Sequence, residues 1–323
     1  MVLQGKNTSA PAVQRVLVDE QDAGQRIDNF LMRVCKGAPK SLIYRILRSG
    51  EVRVNRGRID QTYRLVAGDE IRIPPLRLAE KADTSHVPGR EFPVVFEDEA
   101  LLAIDKPAGV AVHGGSGVSF GVIEQLRQSR PEAHFLELAH RLDRETSGIL
   151  LIGKKRAALK RLHDLLRESA LDKRYLALVS GRWPNPVQHI RLALTRYLTD
   201  EGERRVAVDE EGGKASHSIV RLVRRWQNFS LVEVQIKTGR THQIRVHLTH
   251  LGFPLAGDDK YGDFALNKAL QKSGLKRMFL HAASLKLAHP VSDEPLELAA
   301  PLPRELADFV AHLDATEKAD YGA

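Results

Sequence analysis

Asp143 is the residue whose surroundings first suggest chemistry. It lies in His140-Arg141-Leu142-Asp143-Arg144-Glu145-Thr146-Ser147-Gly148, between two arginines and just ahead of the apolar run Ile149-Leu150-Leu151-Ile152. Such a run reads as a buried strand, so the carboxylate stands at a polar turn feeding a core element. Neighbouring guanidinium groups favour the ionised form of a carboxylate. An ionised carboxylate there can attack an electrophilic carbon or take a proton. Equally, it can cap the turn while the arginines stay solvated. Residue types alone leave both readings open.

Two further stretches carry reactive side chains. Lys173-Arg174-Tyr175-Leu176-Ala177-Leu178-Val179 is a strand with an early tyrosine, and Tyr175 is either a cleft residue or plain core. In Thr238-Gly239-Arg240-Thr241-His242-Gln243-Ile244-Arg245-Val246-His247-Leu248, Thr241 is expected to cap a helix whose Ile244, Leu248 and Leu251 face the core, with Arg245 near the first turn on a flank. His242 and His247 are five apart and do not share a helical face, so no metal site is expected. His113-Gly114-Gly115-Ser116-Gly117 lacks the Gly-Lys-Ser/Thr ending of a phosphate-binding loop and reads as a tight turn. A hydrolase acting on glycosidic bonds would want a second carboxylate across the scissile bond, and none accompanies Asp143.

The elements that must position these residues follow from periodicity. Residues 1–22 read as a loose lead-in, with Val16-Leu17-Val18 as a candidate edge strand. Ile27, Phe30, Leu31 and Val34 mark one helix; Leu42, Ile43, Ile46 and Leu47 mark a second, with Ser41 as its expected N-cap. Val52 and Val54, the turn Asn55-Arg56-Gly57, and Ile71-Arg72-Ile73 make a small hairpin. Pro74-Pro75 closes this module, and residues 77–90 read as a linker. Strands follow at Val94-Val95-Phe96 and Leu101–Ile104, then helices over 118–129 and 156–168. Residues 192–213, rich in Arg, Glu and Gly, read as a mobile insertion. Two more strands lie at 218–223 and 231–236, with the turn at Asn228. A last strand and a closing helix precede a tail over 314–323. Strands with turn signals and few helices suggest an α+β domain on a mainly antiparallel sheet.

Composition narrows the function class. The 323 residues are 42% hydrophobic and 28% charged, ordinary for a soluble protein, with no apolar run near the ~20 residues of a membrane span. Nothing in residues 1–11 resembles a signal sequence, and the single cysteine, Cys35, excludes an intrachain disulfide and suits a reducing cytoplasm. The net charge is +8, and Gly24 to Arg77 holds 12 Lys/Arg against five Asp/Glu, so +7 of it lies there. That concentration points to a small nucleic-acid-binding module.

The first module resembles an S4 domain through Gly24-Gln25-Arg26-Ile27-Asp28-Asn29-Phe30-Leu31, Ser41 to Gly50, Glu51-Val52-Arg53-Val54-Asn55 and Ala67-Gly68-Asp69. That resemblance implies binding of structured RNA through Lys40, Arg45, Arg48, Arg53 and Arg56. From about Val94 to Pro303 the motifs around Asp143, Tyr175 and Arg245 resemble the pseudouridine synthases of the ribosomal large-subunit type. Gly257-Asp258-Asp259-Lys260-Tyr261-Gly262 fits the same family; Asp105, at an expected turn position where the family usually has Asn, departs from it. The implied architecture is a small S4 domain over 23–76 ahead of a catalytic α+β domain over 91–313. The implied reaction isomerises uridine in 23S ribosomal RNA without cofactor or metal. Asp143 acts at the ribose, Arg245 is its partner, with Arg240 the weaker candidate, and Tyr175 stacks on the base. Leu280 packs the other face of the base, and Arg141 takes the space it vacates. The resemblance further implies a cytoplasmic protein acting as a monomer on ribosomal RNA or a precursor particle, with no membrane partner. A second reading, of another class, is a non-catalytic rRNA-binding assembly factor.

Overall fold

The structure is a computed structural model that describes residues 12–20, 22–35, 37–76, 87–115 and 118–321. The chain divides into two compact units, residues 1–87 and 88–323. Most of the expected linker and lead-in, and Ser116 and Gly117 of the glycine-rich turn, lie outside the described residues.

The first unit holds β1 (Gln14–Leu17), α1 (Ile27–Val34), α2 (Lys40–Arg48), β2 (Arg53–Val54) and β3 (Glu70–Ile73). The strands form an antiparallel sheet in the order β1-β3-β2. Ile27, Phe30 and Leu31 of α1 and Ile43, Ile46 and Leu47 of α2 share one core with Val52, Val54, Ile71 and Ile73, which is why the helical and strand periodicities were both readable. Asn55 and Arg56 have φ of +49° and +69°, the two left-handed residues of a tight hairpin turn closed by Val54 and Gly57. Ser41 does not cap α2. The helix starts at Lys40, and the Leu42 and Ile43 amides bond to the carbonyl of Pro39, whose fixed φ suits a helix start.

The second unit is one large sheet with helices on both faces. Its elements are β4 (Val94–Glu97), β5 (Leu101–Lys106), α3 (Val122–Ser129), β6 (Glu137–Leu138), β7 (Ser147–Gly153), α4 (Arg156–Arg167), β8 (Asp172–Ser180), β9 (Val187–Leu198), β10 (Arg204–Val208), β11 (Lys214–Arg225), β12 (Phe229–Ile236), α5 (Gln243–His250), α6 (Phe264–Lys272), β13 (Leu280–Ala288), β14 (Pro295–Ala299), α7 (Arg304–Thr316) and β15 (Asp320–Tyr321). The main path is β10-β9-β11-β12-β8-β13-β7-β5-β4, with β14 on β13, β15 on β11 and β6 on β7. Among these pairs only β13 with β7 is parallel, so the sheet is mixed and mainly antiparallel.

β7 is the centre. All seven of its residues are buried. Leu150 and Ile152 face one core with α3 and α5, while Ile149 and Leu151 face another with α4. Burial on both faces explains why this strand reads as a continuous apolar run rather than an alternation. Its four central side chains contribute about 6–12 kcal/mol of apolar burial before entropy is counted.

Several boundaries differ from the sequence reading. Residues 192–213 are not a mobile insertion: most belong to the antiparallel hairpin of β9 and β10, with Leu194 opposite Val208 and Tyr197 opposite Arg205. Its charged residues sit on a half-exposed strand, whose alternation the arginines obscured. α3 starts at Val122, because the Gly114 and Gly121 amides are both held by the Glu124 carboxylate ahead of it. Asp105 is no turn residue; it pairs with Ile149 inside β5, and burial pushes its carboxyl up. Arg90 is not linker but stacks on Phe92 and bonds to Gln125. The expected tail is part of the fold: α7 runs to Thr316, Asp314 accepts from the Trp226 indole, and β15 pairs with β11.

Gly148 joins the central strand to β13. Its φ is +108°, and a Cβ there would lie 2.3 Å from the Ala282 carbonyl oxygen. Backbone must move to admit any side chain, so Gly148→Ala is expected to lower unfolding free energy by about 2–5 kcal/mol. Urea unfolding of the full chain measures this; a loss below about 1 kcal/mol would contradict the packing described.

Candidate active site

A cleft of about 410 Å³ opens on the sheet face that carries α5. Asp143, Arg141, Tyr175, Arg240, Arg245 and Leu280 all line it. The sheet register explains how distant residues meet. Ala282 lies opposite Tyr175 on the β8–β13 pair, and Leu280 is two residues away, so Tyr175 and Leu280 are diagonal neighbours on one face. Both are almost fully buried in the core cluster that reaches this cleft, so the core and cleft readings of Tyr175 hold together. The phenol of Tyr175 is pushed up, first by burial and then by the negative charge of Asp143.

Asp143 stands in the loop ahead of β7, with its side chain 18% exposed. The Thr146 amide bonds to its carbonyl, and Gly109 donates to the carbonyl of Arg144. Lys106, fully buried, donates to the carbonyls of Pro107, Val110 and Arg144 at 2.8, 2.8 and 3.1 Å. Burial pulls this ammonium down to about 7. The loop is thus tied to the end of β5 through main-chain groups, which leaves the Asp143 side chain free to face the cleft.

Neither sequence neighbour pairs with Asp143 in the way its flanks suggest. Arg144 is exposed and bonds to Glu145. Arg141 is exposed at the cleft edge. Arg240 donates to the carbonyl of Ala215. The cation on Asp143 is Arg245, whose Nη1 lies 3.4 Å from Oδ2. Arg245 is not on a solvent flank: it is 5% exposed in a helix buried on nearly every side.

What holds Arg245 is Asp258, which the sequence reading passed over as part of a loop. Nε and Nη2 of Arg245 donate to the two Asp258 carboxylate oxygens at 2.8 and 2.7 Å, a bidentate pair. Asp258 is fully buried and also accepts from the Lys260 and Tyr261 amides. Burial alone would push its carboxyl up; Arg245 and the two amides outweigh that and hold it below the usual range. For Arg245, burial opposes the charge, and Asp258 followed by Asp143 overrides it. The Tyr261 ring lies 5.0 Å beneath the guanidinium. Gly257 makes the loop possible: a Cβ there would lie 2.2 Å from the Arg277 carbonyl oxygen. A carboxylate inside a short loop bounded by glycines was the available signal, since such a loop approaches other backbone closely.

Thr241 does not cap α5. The helix starts after His242, which has φ of +53°, and the Thr241 hydroxyl instead accepts from Arg196. Gln243 closes the turn by accepting from Thr238 and Arg240 and donating to His217 and Ser218. The polar groups of this buried helix are therefore largely matched.

The charge pattern of the cleft is one-sided. Arg141, Arg167, Lys173, Arg196, Arg240 and Arg245 line it against a single carboxylate, Asp143. A low-dielectric cleft of that sign attracts a polyanion. In the first unit, Lys40, Arg45, Arg48 and Arg56 are exposed and Arg53 is half-buried. Arg45 and Arg48 fall in the last turn of α2.

The profile of the RNA pseudouridylate synthase family matches residues 100–250. The ribosomal large subunit pseudouridine synthase C of Yersinia pestis is 50% identical over 305 residues, covering 93% of this chain and 95% of that one. Its counterpart in Haemophilus influenzae is 49% identical over 319 residues, covering 97% and 99%. The solved structure of human RNA pseudouridylate synthase domain containing 1 superposes with a TM-score of 0.58 at 27% identity, covering 73% of this chain and 92% of that one.

Asp258→Asn keeps the side-chain shape and removes the charge under Arg245. Breaking such a buried pair is expected to cost about 3–5 kcal/mol at neutral pH. Because the folded carboxyl is depressed, its contribution is present above the ordinary value of 3.8 and lost as pH falls through the folded value. Urea melts from neutral to acid pH should show a steeper acid loss in the wild type than in the variant, and equal slopes would contradict the pair's role.

Identity near one half along almost the whole of both chains joins the motifs and the cleft in one conclusion: this chain belongs to the RNA pseudouridylate synthase family.

Proposed function

We propose that this chain isomerises uridine to pseudouridine at several sites of the 23S RNA of the large ribosomal subunit, with Asp143 as the catalytic carboxylate. The observation that carries the reading is a carboxylate facing a cation-lined cleft, anchored through Arg245 to a fully buried Asp258. The N1–C1′ bond breaks, the uracil turns, and C5 joins C1′, while the C5 proton is lost and N1 regains one. Asp143 attacks C1′ or takes the 2′ proton; either role uses a carboxylate oxygen facing the cleft, and the Arg245 guanidinium lies against the other at Oδ2. Tyr175 is read as stacking on the uracil and Leu280 as packing its other face; the two are diagonal neighbours that both line the cleft. With its phenol pushed up, Tyr175 keeps its proton at neutral pH, which suits stacking and proton relay better than acting as a base.

A base in folded RNA must leave its stack, at a cost of a few kcal/mol. Arg141, exposed at the cleft edge, can fill the space it leaves, because a guanidinium stacks and hydrogen-bonds at once. The first unit, read as an S4 domain, supplies phosphate contacts through Lys40, Arg45, Arg48, Arg53 and Arg56. Arg196, Arg240 and the β9–β10 hairpin supply more beside the cleft. The chain is read as a cytoplasmic monomer, and no helix among the described residues is long and apolar enough to cross a membrane. An assembly factor without activity would have no use for the buried support beneath Asp143.

Asp143→Asn should abolish pseudouridine formation, by more than about a thousandfold, while RNA affinity survives. Carbodiimide mapping of a large-subunit rRNA transcript reads this out, and full activity would remove Asp143 from the catalytic role. Replacing Lys40, Arg45 and Arg48 together by Gln should weaken binding and lower the slope of log affinity against log salt by about two to three. An unchanged slope would take RNA binding away from α2.

A further inference from the structure

The cleft holds a second donor aimed at Asp143. The His242 Nε2 lies 3.9 Å from Asp143 Oδ1, on the oxygen that Arg245 does not hold. The His242 side chain makes no capping bond to the helix that follows it. Its backbone is left-handed, a conformation uncommon outside glycine that clusters at functional sites.

The far side of the ring decides which nitrogen carries the proton. His242 Nδ1 is 2.7 Å from the Tyr261 hydroxyl. That hydroxyl already accepts the Val206 amide hydrogen at 2.9 Å. Burial pushes the Tyr261 phenol up to about 12, so it keeps its own hydrogen. The nearest acceptor for that hydrogen is His242 Nδ1. Burial likewise pulls the His242 imidazole down to about 4, against the pull of Asp143 and with the push of Arg245 and Lys260; Asp258 pulls the other way. A neutral ring that accepts at Nδ1 must carry its proton on Nε2. The opposite tautomer would leave the Tyr261 hydrogen without an acceptor and aim a lone pair at a carboxylate.

We propose that His242 is a positioning residue for the reaction: a neutral imidazole, set by Tyr261 with its proton on Nε2, that holds Oδ1 of Asp143 while Arg245 holds Oδ2. The inference rests on the reading of Asp143 as the catalytic carboxylate. A separation of 3.9 Å is longer than a hydrogen bond, and catalytic contacts of this kind tighten when substrate closes the site. With both oxygens held, the carboxylate cannot rotate about its own bond, and its orientation toward the ribose is fixed. A neutral donor does this without placing a second positive charge beside Arg245. The amide of Val206, in β10, is the outer end of the chain, so the hairpin at the cleft edge sets the tautomer.

The test uses the full chain and three variants. In wild-type protein with 15N-labelled histidine, two-bond proton–nitrogen correlation spectra should show His242 protonated on Nε2. Tyr261→Phe keeps the ring under Arg245 but removes the hydroxyl, and should turn this signal into a mixture of tautomers. His242→Gln places an amide N–H near the Nε2 position, whereas His242→Asn tolerates the left-handed backbone but is too short to reach Asp143. On a large-subunit rRNA transcript, His242→Gln should retain kcat within about fivefold while His242→Asn loses about 10–100-fold, with KM little changed in both. A ring protonated on Nδ1 in the wild type overturns the proposal, as does wild-type kcat in His242→Asn. Equal loss of kcat in both variants together with a lowered Tm would show a structural role and overturns it too. Asp143→Asn, run beside them, separates the two claims: if it remains active, the reading of Asp143 itself fails, and if it is dead while both His242 variants match the wild type, only the positioning role fails.

Discussion

A buried ion pair governs this active site. Two charges removed from water lose several kcal/mol of hydration each, and the loss is recovered only when geometry and further hydrogen bonds are good. Arg245 and Asp258 meet that condition through two short parallel bonds, two main-chain amides on the carboxylate, and an aromatic ring beneath the guanidinium. With Nε and Nη2 committed to Asp258, only Nη1 is turned toward Asp143. The longer contact, 3.4 Å, is therefore the one at the half-open end of the chain of charges. A cation already balanced by a buried anion can reach Asp143 at the longer distance without clamping it.

The same arrangement explains the demands on the surrounding fold. The residues that meet in the cleft come from the loop before β7, from β8, from the start of α5 and from the start of β13. β13 runs parallel to β7 and antiparallel to β8, so it brings Leu280 beside Tyr175 and Gly148 beside Ala282 at once. The Lys106 ammonium ties the Asp143 loop to the end of β5 through main-chain carbonyls, Arg144 on one side and Pro107 and Val110 on the other. Side-chain chemistry in the cleft is thereby separated from the backbone bonds that support it. This matters where a base has to enter and leave.

How much of this was readable in the chain follows from the range of each interaction. β7 announced itself because burial on both faces needs an uninterrupted apolar run. The first unit was legible because two amphipathic helices and one tight turn are local patterns. The β9–β10 hairpin is hard to read because Arg196 takes the strand parity of Leu194 and Leu198, and Arg204 and Arg205 are adjacent, so the charges break a period of two. Arg245 was matched by motif, but its burial was not visible, since nothing in the helical period shows that Asp258, thirteen residues on, folds back beneath it. Asp258, Tyr261 and the tautomer of His242 are consequences of tertiary contact alone. Their only local trace is a pair of glycines flanking a carboxylate.

Recognition of the RNA and chemistry on the base call for opposite physics. Phosphate contacts work best from exposed cations whose counterions are released on binding, and exposure is what Lys40, Arg45, Arg48 and Arg56 offer to the role proposed for them. Chemistry on a base would instead be served by charges held out of water in one geometry, the state in which Arg245 and Asp258 are found. An arginine cannot do both, because the burial that fixes its direction removes the hydration that makes release of counterions favourable. Arg196 and Arg240 stand between the two regimes. They line the cleft beside Asp143, yet they bond only to a threonine hydroxyl and a carbonyl. Among the described residues neither pairs with a carboxylate, so an anionic group such as a phosphate is the partner their charge best matches.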